Sequence, residues 1–159
     1  MATPPLVLIV GAGPVTEALV PMLDALGWQS RVSETTPTID ADVDAVVVTS
    51  HHDDVDGPTI SAALAAGTAY VGAMGSRRTQ ARRREWLLAN GVTEQALEAL
   101  RAPIGLDIAA DEPGEIAVSI LAEVVAVRRG ADAAVRSVSE RDGAIHPDLA
   151  PGTATCPGG

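Results

Sequence analysis

Lysine and phenylalanine are absent from this chain of 159 residues, and cysteine (Cys156) and tyrosine (Tyr70) occur once each. A single cysteine excludes a disulfide framework within the chain and fits a reducing compartment. With no phenylalanine and aromatics at 2%, the core has to be aliphatic, with Trp28, Trp86 and Tyr70 as its few large fillers. The N-terminus lacks the basic, apolar and small-residue pattern of a secretory leader, and no run reaches about 18 apolar residues. The expectation is a soluble, cytoplasmic protein with no membrane partner. Positive charge is not in excess either. A net charge of −10 argues against a general nucleic-acid partner or an anionic membrane. There is no internal repeat, no nucleophile elbow and no activated-cysteine context, so no catalytic residue is assigned.

Aliphatic sequence is plentiful. Hydrophobic residues make up 47% of the chain, and the length suits one domain with a real core. Leu6–Val10 reads as a buried parallel strand, apolar on both faces. Residues 15–26 read as a helix with Ala18, Leu19, Met22, Leu23 and Leu26 on one face, interrupted by Pro21 and stopped by Gly27. Residues 28–33 and 45–49 are further strands. A polar loop follows at 51–57, then a helix from 58 to 66 with Pro58 in its first turn. Residues 69–71 form a fourth strand, and Ser76 caps a helix running to about Asn90. A short helix is expected at 94–100, an extended piece at 103–106, and a last helix from Pro113 to Arg129 with Ile116, Ile120, Leu121, Val124 and Val127 as its stripe. Alternating strands and helices predict an α/β fold: a Rossmann-like three-layer sandwich of about five parallel strands with helices on both faces. Residues 1–130 are expected to hold this domain, and 131–159 an extension and disordered tail.

Two glycine-rich turns stand where a strand hands over to a helix. The first, Gly11-Ala12-Gly13-Pro14-Val15-Thr16, is an imperfect dinucleotide fingerprint. Gly11 allows the tight turn and Gly13 lets a pyrophosphate approach. Thr16, in place of a third glycine, is expected to hold helix and strand further apart, and Pro14 removes one N–H. Glu34, about 20 residues on, is placed to bind a ribose hydroxyl. The second turn, Gly72-Ala73-Met74-Gly75-Ser76-Arg77-Arg78, adds two guanidiniums, whose planar forks match phosphate. A strand, a glycine turn and a helix N-terminus together make an anion site. A strand–helix turn with no ligand accounts for the first motif as well.

Arg77, Arg78, Arg82, Arg83 and Arg84 crowd into one short stretch of an otherwise acidic chain. They suit an anionic ligand or an acidic partner, or form a solvated helix face balanced by Glu85 and other acids. Ser50, His51 and His52, followed by Asp53 and Asp54, lie at a strand's C-terminal end, where open α/β sheets place their ligands. Adjacent residues do not converge on one ion and no third spaced ligand is evident, so no metal site is expected. His146 and Cys156 carry little weight.

Three blocks resemble one family closely. They are residues 70–78, residues 102–108 (Ala-Pro-Ile-Gly-Leu-Asp-Ile), and residues 113–120 (Pro-Gly-Glu-Ile-Ala-Val-Ser-Ile) with Arg128-Arg129-Gly130. They look like the C-terminal Rossmann domain of the XdhC/CoxI family, accessory proteins of xanthine dehydrogenase and related molybdenum hydroxylases. The likeness extends over roughly residues 5–130. It implies a maturation role: binding molybdenum cofactor, protecting it during sulfuration and delivering it to the apo-enzyme, as a chaperone and not a catalyst. The cofactor's phosphate would sit on Arg77 and Arg78 with N–H groups from Gly75 and Ser76, and Gly105 and Asp107 would be neighbours of the same cleft. The family usually has a preceding domain with a cysteine motif; here the expectation is a domain that pairs with a separately encoded partner of that type, with a homodimer also open. Pro14 stands where histidine is common, and residues 34–44 are short by about one strand–helix unit. Two other readings stay open: a small NAD(P)-binding oxidoreductase, in which His51 or His52 moves a proton, and a non-catalytic ligand-sensing or dimerisation module.

Overall fold

A computed structural model of the chain describes residues 2–131. His146, Cys156 and the predicted tail lie outside the described residues. Five parallel strands form one sheet in the order β2-β1-β3-β4-β5. They are β1 (Leu6–Val10), β2 (Gln29–Ser33), β3 (Ala45–Val48), β4 (Tyr70–Ala73) and β5 (Leu100–Arg101). The helices are α1 (Pro14–Ala25), α2 (Asp53–Ala65), α3 (Arg77–Ala89), α4 (Glu94–Leu97) and α5 (Pro113–Arg128).

The sheet separates two aliphatic cores. On one face α1 and α5 pack together over Val7, Ile9, Ala45, Val47 and Tyr70. On the other, α2, α3 and α4 cover Leu8, Val10, Val46, Val48 and Val71. Strands β1, β3 and β4 are buried along their whole length, which is why their sequences are continuous apolar runs rather than alternations. The polar strand β2 is an edge. The chain leaves β1 towards β2 on one side. It then returns through residues 34–44, which hold no helix, to β3 on the other side. The switch in direction therefore lies between β1 and β3, the place where such sheets open a crevice at their C-terminal edge.

Five expectations are corrected. Helix α2 begins at Asp53, so Pro58 lies inside it and residues 53–57 are helical. Asp53, Asp54 and Asp56 fill its first turn and complement the positive end of the helix. The last strand is Leu100–Arg101, and residues 102–110 form an irregular connection instead of an extended piece at 103–106. Leu26 is 48% exposed and does not complete the α1 stripe. Of the large fillers, Tyr70 is buried, but Trp86 is 38% exposed and lies across Gly57, while Trp28 is half-buried under the Arg128 guanidinium. Helix α1 continues unbroken through Pro21.

Candidate functional site

Because all strands run parallel, their C-terminal ends share one edge, and the loops leaving it carry most of the predicted site residues. At the first turn Gly11 is buried with φ +131°, and a Cβ there would come within 2.5 Å of the Ser50 nitrogen and 2.4 Å of Thr49 Oγ1. Only glycine allows the β1 and β3 loops to touch in this way. Thr16 does not prop the turn open. Its buried hydroxyl donates to the Gly11 carbonyl at 2.9 Å and hydrogen-bonds Thr49 Oγ1 at 2.8 Å, fastening helix to strand. Beyond this knot Ala12 and Pro14 are exposed, Gly13 caps α1 with open space above it, and Val15 faces the core. Glu34 is exposed just past β2.

Ser50 is buried, and its hydroxyl accepts from the His52 N–H at 3.1 Å. His51 and His52 are exposed, and His52 is the N-cap of α2. Gly72 lies inside β4, where a Cβ would strike Ile104 at 2.7 Å, so its bare backbone serves packing. Gly75 and Ser76 form the turn into α3, and the Ser76 hydroxyl accepts from the Thr79 N–H at 3.2 Å.

The five clustered arginines divide into two groups. Arg82 pairs with Asp53 at 3.0 Å, Arg83 with Asp56 at 2.5 Å, and Arg84 with Glu94. Arg77 and Arg78, the first two residues of α3, have no acidic partner among the described residues. They are exposed cations at the positive end of a helix with no acid in its first turn. That arrangement is unfavourable for the free protein and favourable for an anion.

A cleft of about 480 Å³ opens beside this helix start. It brings together four of the predicted residues, Gly75, Arg77, Gly105 and Asp107, with walls from Met74, Pro103, Ile104, Leu106, Ile108 and Ile116. The first glycine turn, Glu34, the Ser50–His52 segment, Gly72, Ser76 and Arg78 line no part of it. The 102–110 connection that forms its far wall is fastened at several points. Ile104 N donates to the Ala73 carbonyl at 3.1 Å and Leu106 N to the Ser119 carbonyl at 3.2 Å. Gly105, at φ +98°, presses on α5 so closely that a Cβ would sit 2.5 Å from Ser119 Oγ. At the cleft's mouth Ala109 holds φ +59°, a left-handed conformation costing about 1–2 kcal/mol without glycine.

Sequence reasoning missed two anchors of this site. Glu123, 6% exposed, accepts the Tyr70 hydroxyl at 2.7 Å and the Gly105 N–H at 3.2 Å through one carboxylate oxygen. Burial, and then the Glu123 carboxylate beside it, push the Tyr70 phenol far above its ordinary range. Asp56 and Arg83 form the other anchor. Fully buried, the Arg83 guanidinium donates to the Ser50 carbonyl at 3.1 Å, the Met74 carbonyl at 2.5 Å and Asp56 Oδ2 at 2.5 Å. It thereby ties the loops after β3 and β4 to α2. The signals were present. Glu123 is a lone acid in the apolar stripe of α5, and Arg83 shares the inward face of α3 with Leu87, one turn on.

The family model described as the XdhC Rossmann domain matches residues 7–124. Over 126 residues the chain is 32% identical to the molybdenum cofactor insertion chaperone PaoD of Escherichia coli (strain K12), covering 76% of this chain and 39% of that protein. It is 40% identical over 63 residues to the uncharacterized protein YqeB of the same organism, 40% of this chain and 12% of that one. Among solved structures, one described as a xanthine dehydrogenase from Bacillus halodurans matches with a TM-score of 0.64 at 25% identity, over 80% of this chain and 43% of that one. The chain thus spans about two fifths of the length of PaoD and of the Bacillus chain. The sheet, the two glycine turns and a match that runs from β1 into α5 make this chain a member of the XdhC Rossmann-domain family.

Proposed function

We propose that this domain serves the maturation of a molybdenum hydroxylase of the xanthine dehydrogenase type. It would hold molybdenum cofactor, or a phosphate-bearing nucleotide, for delivery to the apo-enzyme. The observation that carries the reading is the allocation of charge at the start of α3. Three of five arginines are paired internally, and the two left over start a helix, Arg77 lining a cleft and Arg78 next to it in sequence but not part of the lining. A phosphate there would gain charge-assisted hydrogen bonds from Arg77 and Arg78 and the partial charge of the helix end. The name of the relative PaoD, a molybdenum cofactor insertion chaperone, supplies the cargo. The hydroxylase itself, a separately encoded partner with the family's preceding domain, and a second copy of this chain are the partners this role would use. No helix among the described residues is long and apolar enough to cross a membrane.

Calorimetric titration with molybdenum cofactor and with simple nucleotides tests the reading. The variant carrying Arg77→Ala and Arg78→Ala should bind at least about tenfold more weakly, roughly 1.4 kcal/mol. Equal affinity in the two proteins would remove the phosphate clamp. A second reading, a small NAD(P)-binding oxidoreductase, draws on the open space above Gly13 and the exposed Glu34 past β2. Saturable hydride transfer by the purified chain would put it first.

A further inference from the structure

The last residue of β4 and the two that follow it present three consecutive carbonyls, and side chains of α3 hold all three. The Gln80 amide donates through Nε2 to the Ala73 carbonyl at 3.1 Å and to the Gly75 carbonyl at 3.3 Å. The Met74 carbonyl between them accepts from Arg83. The Arg83 guanidinium also donates to Gln80 Oε1 at 3.4 Å. These partners fix which way the Gln80 amide faces, because carbonyls lie at its NH₂ and a guanidinium at its oxygen. Gly75 has to be bare for this reach. A Cβ there, at φ +142°, would come 2.9 Å from Thr79 Cγ2 and 3.1 Å from Gln80 Nε2.

Resting on the phosphate reading of the α3 start, we propose that Gln80 is a positioning residue of that site, setting the peptides of the turn so that the Gly75 and Ser76 N–H groups meet the anion. In a trans peptide the carbonyl and the N–H after it point opposite ways, and the peptides of this turn are trans. The Gly75 N–H therefore points away from Arg83, and the Ser76 N–H away from Gln80. Neither has an acceptor among the described residues. Successive amides turned one way make an anion-binding concavity, and the first N–H groups of α3 continue it. Gln80 thus supplies direction where Arg77 and Arg78 supply charge. Without it the Gly75 carbonyl loses its donor, and the Gly75–Ser76 peptide is free to turn over and set an oxygen against the anion. Arg83 holds the Met74 carbonyl in the same way, but its loss also breaks the buried pair with Asp56. Gln80 is half-buried and in no ion pair, so positioning can be tested there apart from folding.

Titration of the isotope-labelled chain with inorganic phosphate, followed by amide NMR, reads the effect residue by residue. In the wild type the Gly75 and Ser76 amide protons should move downfield as phosphate binds. Gln80→Met keeps the length of the side chain and removes its donors. It should raise Kd about fivefold or more and shrink those two shifts. Its affinity should keep the wild-type dependence on salt, because both guanidiniums remain; in Arg77→Ala with Arg78→Ala that dependence should fall. Circular dichroism checks the fold, and if Gln80→Met does not fold, Gln80→Ala, with the strongest helix former, is judged by the same criteria. Affinity within about twofold of the wild type, with the Gly75 and Ser76 shifts intact, would overturn the proposal and leave the phosphate reading standing. So would a weakened affinity whose salt dependence drops to that of the double arginine variant, since Gln80 would then be keeping the helix start in shape and not aiming amides. Phosphate at tens of millimolar that moves no amide at the α3 start of the wild type would overturn both.

Discussion

Replacing Arg83 with alanine should be among the most damaging single changes in the domain. Its guanidinium is 3% exposed, and Asp56, which it faces, is fully buried. Asp56 Oδ1 already has no partner. Arg83→Ala therefore leaves a carboxylate inside the protein with no donor from the guanidinium and no solvent. Breaking a buried pair from one side costs about 3–5 kcal/mol. The Ser50 and Met74 carbonyls lose their Arg83 donor as well, at roughly 1 kcal/mol each if nothing replaces it. These costs overlap, so about 4–5 kcal/mol is the expected total, a large share of the 5–15 kcal/mol typical of a domain. For a domain of this size that lowers Tm by about 10–20 °C.

Urea unfolding followed by far-ultraviolet circular dichroism measures the loss. Arg82→Ala is the internal control. Its pair with Asp53, at 3.0 Å and more than half exposed on both sides, should be worth less than about 1 kcal/mol. Removing both partners, in Arg83→Ala with Asp56→Ala, should cost less than the sum of the single changes, because no charge is then stranded. A loss below about 1 kcal/mol in Arg83→Ala, or strict additivity in the double variant, would refute the argument. The loops that Arg83 holds lead into Gly75 and Ser76, so phosphate binding should weaken along with stability.

Tyr70 provides an optical test of the second anchor. It is the only tyrosine, and burial together with Glu123 raises its phenol above the unfolded value of 10.0. The folded state thus favours the protonated form. Its contribution is complete below pH 10 and declines as pH rises past the point where the unfolded chain ionises. Phenolate absorbance should appear only as circular dichroism reports unfolding; reversible ionisation near pH 10 in a folded chain would contradict the burial. Gly105→Ala combines a left-handed φ of +98° with a contact of 2.5 Å on Ser119. It should cost about 1–3 kcal/mol and weaken ligand binding more than Gly13→Ala, which is also strained, at φ +120°, but meets no neighbouring atom. Equal effects of the two changes on affinity would mean that the 102–110 wall is not part of the site.

The central strands were legible because burial on both faces writes itself into sequence as short runs such as Leu6–Val10, which the structure reproduces to the residue. Edge strand β2 could be placed by the segments around it, although its own residues are mostly polar. Helix α2 was harder. His, Asp, Gly and Pro at 51–58 have the composition of a loop, but acids at a helix start are favourable, and a proline near that end forfeits only one backbone bond. The short β5 shifted for a related reason. Its two residues are held by pairing with Val71 and Gly72, a long-range contact that no local pattern announces.

The site was legible as composition and illegible as allocation. Five arginines within one stretch of helix signal positive charge. Whether that charge is available depends on Asp53, Asp56 and Glu94, which lie 29, 27 and 10 residues away in sequence from the arginines they meet. Helical geometry sorts the cluster. Arg83 points inward with Leu87, while Arg82 and Arg84 flank it and reach acids on α2 and α4. Arg77 and Arg78 come before the helix has made a full turn, and no acid in the described residues reaches them. Two cations at the positive end of α3 oppose the helix dipole, and the first N–H groups of any helix lack carbonyl partners within it. The free domain bears an electrostatic cost here that Arg82, Arg83 and Arg84 avoid, and a phosphate is the group that would relieve it.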